Sequence, residues 1–137
     1  MATAEEQARE RQVRDALARE RAIDITTTGR RSGRPRRVEI WFHNLDGRLY
    51  ITGSPGRRDW YANLVARPDF TFHLKGAVAA DLPARARPIT DAAEKRAVLA
   101  RILERLGRAG GPGRPRDLEA WVARSPLVEV TFPSPEG

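Results

Sequence analysis

Asp46-Gly47 stands between two runs that read as strands, Arg37 to Leu45 (RVEIWFHNL) and Arg48 to Gly53 (RLYITG). A two-residue Asp-Gly link lets both central positions take positive φ, the geometry that suits the twist of an antiparallel hairpin. Parallel strands need a crossover of a dozen or more residues, and none fits here. A β-branched run, Ile23 to Thr28, precedes the hairpin and reads as another strand. No strand–helix rhythm recurs along the chain, which argues against a doubly wound parallel sheet. The expected class is α+β, mainly β: a small antiparallel barrel with peripheral helices. At 137 residues the chain suits one real core. The expected organisation is a polar helix over residues 1–22, then one barrel domain over residues 23–137.

The remaining elements follow from periodicity and punctuation. Residues 4–21 are helix-prone, with a thin stripe of Ala8, Val13, Ala16, Leu17 and Ala18 suited to docking on one side. Asp59 to Arg67 reads as a short helix closed by Pro68, and Phe70 to Leu74 as an alternating strand. Ala77 to Ile89 is strand-like but interrupted at Pro83. Thr90 or Asp91 should cap a helix with Val98, Ile102, Leu103 and Leu106 on its apolar stripe, ended by Gly107. Residues 107–116 are flexible in composition, followed by a helix near Leu118 to Ala123 and a strand from Leu127 to Phe132. Alternation places Ile25, Val38, Ile40, Leu49, Ile51, Phe70, Phe72, Val128 and Val130 in the core.

Charge raises the functional question. Gly29 to Arg37 holds five arginines, two glycines, a serine and a proline, with no acid among them. Like charges a few ångströms apart oppose each other by about 1 kcal/mol per pair in water. A hairpin turn has no need of them, so the stretch is either solvated or waits for an anion. The net charge is +7, and only Lys75 and Lys95 among the 25 basic residues are lysine. Such an arginine bias gives weight to clusters, not to single positions. Arginine offers paired planar donors to phosphate and carboxylate, and N–H groups of a Gly-rich turn add neutral ones.

Other chemistries find less support. Cysteine is absent, which excludes disulfides, thiolate metal sites and a cysteine nucleophile. His43 and His73 lie within strand readings without a ligand-spaced partner, so no metal is expected. Neither a nucleophile elbow nor a nucleotide-binding glycine motif occurs. Nucleic-acid binding needs aromatics displayed for stacking, whereas Trp41, Phe42, Phe70 and Phe72 read as sheet residues, mostly core. No apolar run has signal-peptide or membrane-spanning character, which makes the cytoplasm the expected location.

The segment TTTGRRSGRPR (Thr26–Arg36), then a hairpin, a Ser-x-Gly turn and DWYANLVARPDF, resembles the deazaflavin (F420)-dependent nitroreductase family. The likeness runs from about Ile25 to the end of the chain, and its strongest pieces are Thr26–Arg36 and Trp60–Pro68. It implies a split β-barrel of the FMN-binding type. It implies that the basic turn holds the phosphate of a deazaflavin coenzyme with an anionic oligoglutamate tail. The matched positions are Arg31, Ser32, Gly33, Arg34 and Arg36, with Arg30 and Arg37 beside them. Ser54, Pro55 and Gly56 would lie against the ring, with Arg57 and Trp60 following. Where the family pattern has a lysine after the serine, this chain has Pro55, which carries neither charge nor N–H.

The implied reaction is hydride transfer from the reduced deazaflavin to a quinone, enone or nitro compound, with FMN as the alternative cofactor. Tyr61 and Ser54 are the candidate proton donors, though no spacing singles out a catalytic residue. A non-catalytic barrel that binds an anionic or apolar ligand is the rival reading. Relatives of this kind often pair as homodimers, which is the expected assembly here.

Overall fold

In the computed structural model of the chain, residues 2–108 and 117–133 are described. Helix α1 (Ala4–Arg19) leads into strands β1 (Ala22–Thr28), β2 (Pro35–Leu45) and β3 (Arg48–Thr52). Helix α2 (Asp59–Ala66) precedes β4 (Asp69–Lys75) and β5 (Ala79–Pro88). Helices α3 (Ala92–Arg108) and α4 (Leu118–Arg124) and strand β6 (Leu127–Thr131) complete the chain. The strands close a barrel in the order β1-β2-β3-β6-β5-β4, with β4 returning to β1 and every pair antiparallel. The α+β barrel class expected from sequence is the one found.

The Asp-Gly hairpin forms as its residues dictate. Asp46 (φ 55°) and Gly47 (φ 92°) both occupy the left-handed region, and Asn44 Oδ1 accepts from Gly47 N at 2.8 Å. In the barrel interior Ile23, Ile25, Phe72, Ile51 and Val128 are fully buried, with Phe42 and Phe72 edge to face at 5.2 Å. The register Asp24↔His73 and Thr26↔Thr71 sets the β1–β2 turn and the β4–β5 turn at opposite ends of the barrel. Helix α2 contributes Trp60 and Leu64 to the interior beside the first turn. Helix α1 docks at the other end, with Ala16 buried and Val13 and Leu17 against the same core. Arg9 Nη2 donates to Ala79 O at 2.9 Å and Asn44 Nδ2 to Leu17 O at 3.1 Å, tying that helix to both strand ends. A second apolar cluster, with Tyr50, Leu99, Leu103, Trp121 and Leu127, seats α3 and α4 outside the sheet.

Several sequence expectations need correction. Strand β2 starts at Pro35, not Arg37, so Arg36 and Arg37 are strand residues on opposite faces, paired with Thr27 and Thr26. Strand β5 runs through Pro83, which pairs with Thr71, while β6 joins the other edge of β5 only from Arg85. An unpaired edge needs no ladder donor, so the proline does not interrupt it. Helix α3 continues past Gly107 to Arg108, since one glycine in a last turn costs only about 1 kcal/mol. Its cap is Asp91, whose carboxylate accepts from Glu94 N at 2.9 Å. The stretch 107–116, flexible in composition, lies outside the described residues from 109 onward.

Val38, expected in the core, is not buried, and neither is Trp41 on the other face of β2. Val38 is 38 % exposed although it faces the interior opposite Ile25, and Trp41 is 42 % exposed. The cause is shared. Strand β3 meets β2 only over Phe42–Leu45, leaving Pro35–Trp41 with β1 on one edge and, among the described residues, no strand on the other. The helices α3 and α4 cover the outer face only around Leu45, Tyr50 and Leu127. Phe42 sits where the third strand begins and is buried. This half-open wall is the split in the barrel.

Candidate functional site

The β1–β2 turn is a built structure. Gly29 N donates to Arg34 O and Gly33 N to Gly29 O, both at 2.8 Å, and Ser32 Oγ accepts from Arg34 N at 3.1 Å. A Cβ at Gly29 would stand 2.5 Å from Ser32 Oγ and displace it from Arg34 N, and Gly33 takes φ 69°, where a side chain is strained. Helix α2 holds the turn through Asn63, which is 4 % exposed. Its Oδ1 accepts from Arg30 N and Arg30 Nη1, each at 3.1 Å, and its Nδ2 donates to Thr27 Oγ1 at 3.1 Å. Arg30 also reaches Asp59 at 3.7 Å.

The five arginines therefore divide. Arg30 is committed to Asn63 and Asp59, and Arg37 Nε donates to Asp24 at 2.9 Å. Among the described residues the side chains of Arg31, Arg34 and Arg36 have no acidic partner. Arg37 belongs to an outer-face network in which Lys75 bonds both Asp24 and Glu39. Lys75 foremost, and then Arg37, hold the Asp24 carboxyl below the usual carboxylate range. Charge on that face is compensated, whereas that of Arg31, Arg34 and Arg36 is not.

Beside the turn lies a cleft of about 700 Å³, walled by Arg31, Ser32, Arg36, Val38 and Trp60, with Asn63 and Thr27 at its base. The exposure of Val38 is thus the apolar wall of this cleft. A second cleft, of about 870 Å³, opens on the other side of Arg30 and Asp59. It is walled by Gly56, Arg57, Tyr61, Lys95, Arg124 and Ser125. Both volumes fall in the range of small-molecule sites, about 300–1,000 Å³.

The turn after β3 separates from the first cleft. Arg58 donates through Nη2 to Ser54 O at 2.9 Å and through Nη1 to Arg57 O at 3.0 Å, and Gly56, at φ 135°, donates its N–H to Arg124 O at 3.0 Å. Of the residues singled out from sequence, Arg31, Ser32, Arg36, Arg37 and Trp60 share the first cleft, and Gly56, Arg57 and Tyr61 share the second. Gly33, Arg34, Ser54 and Pro55 line neither, and Ser54 is exposed. Asn63 and Thr27, which fix the turn, were missed by sequence reasoning. The only signal was an asparagine inside an otherwise apolar helix stretch, ANLV.

The two histidines are accounted for locally. His73 bonds Thr26 Oγ1 through Nε2 and Asp81 Oδ1 through Nδ1, each at 2.7 Å, on the outer face of the sheet. His43 is buried, and desolvation, helped by Arg105 and Arg21, lowers its pKa to about 4. No group of three or more metal-ligating side chains occurs among the described residues.

Residues 2–108 match the family model described as F420H2-dependent quinone reductase. The chain belongs to this family. Solved structures share its fold. A conserved hypothetical protein from Mycobacterium tuberculosis superposes with a TM-score of 0.69 at 16 % identity, over 91 % of this chain and 81 % of that one. An F420-H2 dependent reductase, FDR-A, gives a TM-score of 0.58 at 20 % identity, over 82 % and 95 %. A structure described as a domain-swapped dimer gives 0.57 at 19 % identity, over 94 % and 100 %. For this reductase-family member, the described residues contain no helix long and apolar enough to cross a membrane.

Proposed function

We propose that this protein binds F420 at the β1–β2 turn and the adjoining cleft and acts as an F420H2-dependent oxidoreductase, with a quinone as the electrophile. The observation that carries the reading is a turn with three uncompensated guanidiniums, Arg31, Arg34 and Arg36, two of which, Arg31 and Arg36, wall a cleft of about 700 Å³. A phosphate and the carboxylates of an oligoglutamate tail are the anions that such a set fits, and fixed turn N–H groups complement them. Reduced F420, when bound, supplies a hydride, so a quinone that takes it up with one proton leaves as the hydroquinone and the coenzyme is left oxidised.

The chain's own residues supply position and charge. Asn63 fixes the turn so that Arg31 and Arg36 face the cleft without reorganising. Val38 and Trp60 give it an apolar side against which a planar ring can lie. Of the two candidate proton donors, Tyr61 lines the adjoining cleft, edge to face with Trp60 at 6.1 Å. Ser54 lines neither, so we assign the proton to Tyr61. The resemblance to the family is what sets Ser54, Pro55 and Gly56 towards the ring; here Arg58 holds their turn, and only Gly56 of the three lines a cleft. Enones and nitro compounds are further electrophiles of the same kind. A homodimer working in the cytoplasm completes the reading, supported by the domain-swapped dimer among the similar folds.

Parallel fluorescence titrations with F420, FMN and FAD test the cofactor. F420 binding, followed by quinone-dependent oxidation of F420H2, is the expected result. Tight binding of FMN alone would replace F420 in this account, since FMN also carries a phosphate for the turn. Binding of none of the three would make the barrel a non-catalytic ligand binder.

A further inference from the structure

The second cleft holds charge and polarity that the cofactor reading leaves unused. Arg30 and Arg58 are already committed, to Asn63 with Asp59 and to the turn carbonyls. Arg57, Lys95 and Arg124 are not: among the described residues, none has an acidic partner for its side chain. The single acid in the wall, Asp59, faces Arg30 and is 94 % exposed. Lys95 is half-buried, on the first turn of α3, and desolvation lowers its pKa below that of an ordinary lysine. A half-buried ammonium with no counter-charge loses hydration and gains nothing in return.

Ser125 adds an independent mark. It is 2 % exposed, lines this cleft, and its Oγ is the one buried side-chain oxygen or nitrogen among the described residues without a hydrogen-bond partner. Buried hydroxyls are nearly always satisfied, so an orphan beside unpaired cations points to a missing acceptor. The geometry also brings the cleft next to the ring-side turn, since Gly56 bonds the Arg124 carbonyl.

We propose that this cleft receives an anionic substituent of the reducible substrate (carboxylate, sulfonate or phosphate), with Lys95 and Arg124 as its cations and Ser125 as its hydroxyl donor. The substrate class is then an electrophile carrying negative charge, a narrower set than neutral quinones. The assignment rests on the proposed oxidoreductase function, and it makes the α4–β6 junction a specificity element. Arg57 lines the same cleft and adds a third cation without an acidic partner among the described residues.

The test compares menadione with a naphthoquinone sulfonate as acceptors of F420H2 oxidation, in wild type, in Lys95→Ala with Arg124→Ala, and in Ser125→Ala. The expected result is a KM for the sulfonate raised about tenfold in the double variant, with kcat retained and the KM for menadione moved less than twofold. Calorimetric titration of the sulfonate into cofactor-free protein gives a second readout, with affinity about tenfold weaker in the double variant at low salt. Equal sulfonate affinity in wild type and the double variant overturns the proposal. So does a tenfold loss of F420 affinity in the double variant, which would assign the cleft to the cofactor. If wild type binds no F420, the oxidoreductase reading falls, and the calorimetric arm alone decides whether the cleft takes an anion.

Discussion

Removing the Asn63 side chain should unlatch the basic turn from the barrel. Asn63→Ala deletes three hydrogen bonds: Oδ1 from Arg30 N and Arg30 Nη1, and Nδ2 to Thr27 Oγ1, all at 3.1 Å. Each is worth about 1 kcal/mol net, and the guanidinium bond is discounted to that level because Arg30 is one-third exposed. Thr27 is 1 % exposed, so its hydroxyl also loses a partner that water cannot readily replace. The total is about 3 kcal/mol, or about 10 °C in Tm for a domain of this size. Thermal melts followed by circular dichroism measure it. Thr27→Val in both backgrounds closes a double-mutant cycle, which should return a coupling of about 1 kcal/mol. Below the melting range F420 affinity should also fall in Asn63→Ala, because Arg31 and Arg36 no longer stand in fixed positions. A Tm within 2 °C of wild type, or a zero coupling energy, would falsify the latch.

Three other outcomes are expected. Arg31→Ala with Arg36→Ala should weaken F420 binding by tenfold or more per site, from about 1.5–3 kcal/mol per charge-assisted contact, and by less at high salt; an unchanged Kd at low ionic strength would mean the turn is merely solvated. Pro55→Lys should tighten F420 binding by supplying the cation that relatives carry there, while Arg58 keeps the turn carbonyls in place; titration of both proteins with equal Kd would show that the proline had displaced nothing. His43, whose pKa is lowered to about 4 from 6.5, contributes stability that is full above pH 6.5 and is lost as pH falls towards 4. That amounts to about 3 kcal/mol across the window, and urea midpoints of wild type and His43→Gln should converge as pH falls, whereas parallel pH profiles would contradict it.

The strand pattern was readable because it rests on local chemistry. Asp46-Gly47 can close little else than a tight hairpin, and the alternation in Phe70, Phe72 and Leu74 fixes a face whatever surrounds it. The arginine cluster was likewise visible, since five like charges in nine residues need no structure to be noticed. Which arginines are free was not visible. That depends on Asp24 reaching Arg37 across β1 and on Asn63 reaching Arg30 from α2, contacts 13 and 33 residues apart in sequence. Val38 misled for a related reason. Alternation gives the face of a residue but not whether a neighbouring strand extends far enough to cover it. The cleft at the α4–β6 junction left no motif, because Lys95, Arg124 and Ser125 are brought together only by the packing of α3 and α4.

The free edge of β2 carries a liability that its own residues offset. Pro35 to Trp41 present main-chain donors and acceptors on a side where no strand of the described chain lies. Such an edge is a template for a strand of another molecule, the first step towards sheet-to-sheet aggregation. Here it opens with Pro35, which offers no donor, and continues through Arg36, Arg37 and Glu39. An incoming strand would have to accept a ladder gap at once and then place its side chains against closely spaced charge. The arginines proposed to hold a coenzyme therefore also keep the split wall from being closed by the wrong chain. Replacing them all with neutral residues to study binding would expose a sticky edge, so a loss of soluble protein in such variants is a consequence of the same strand rather than of a broken core.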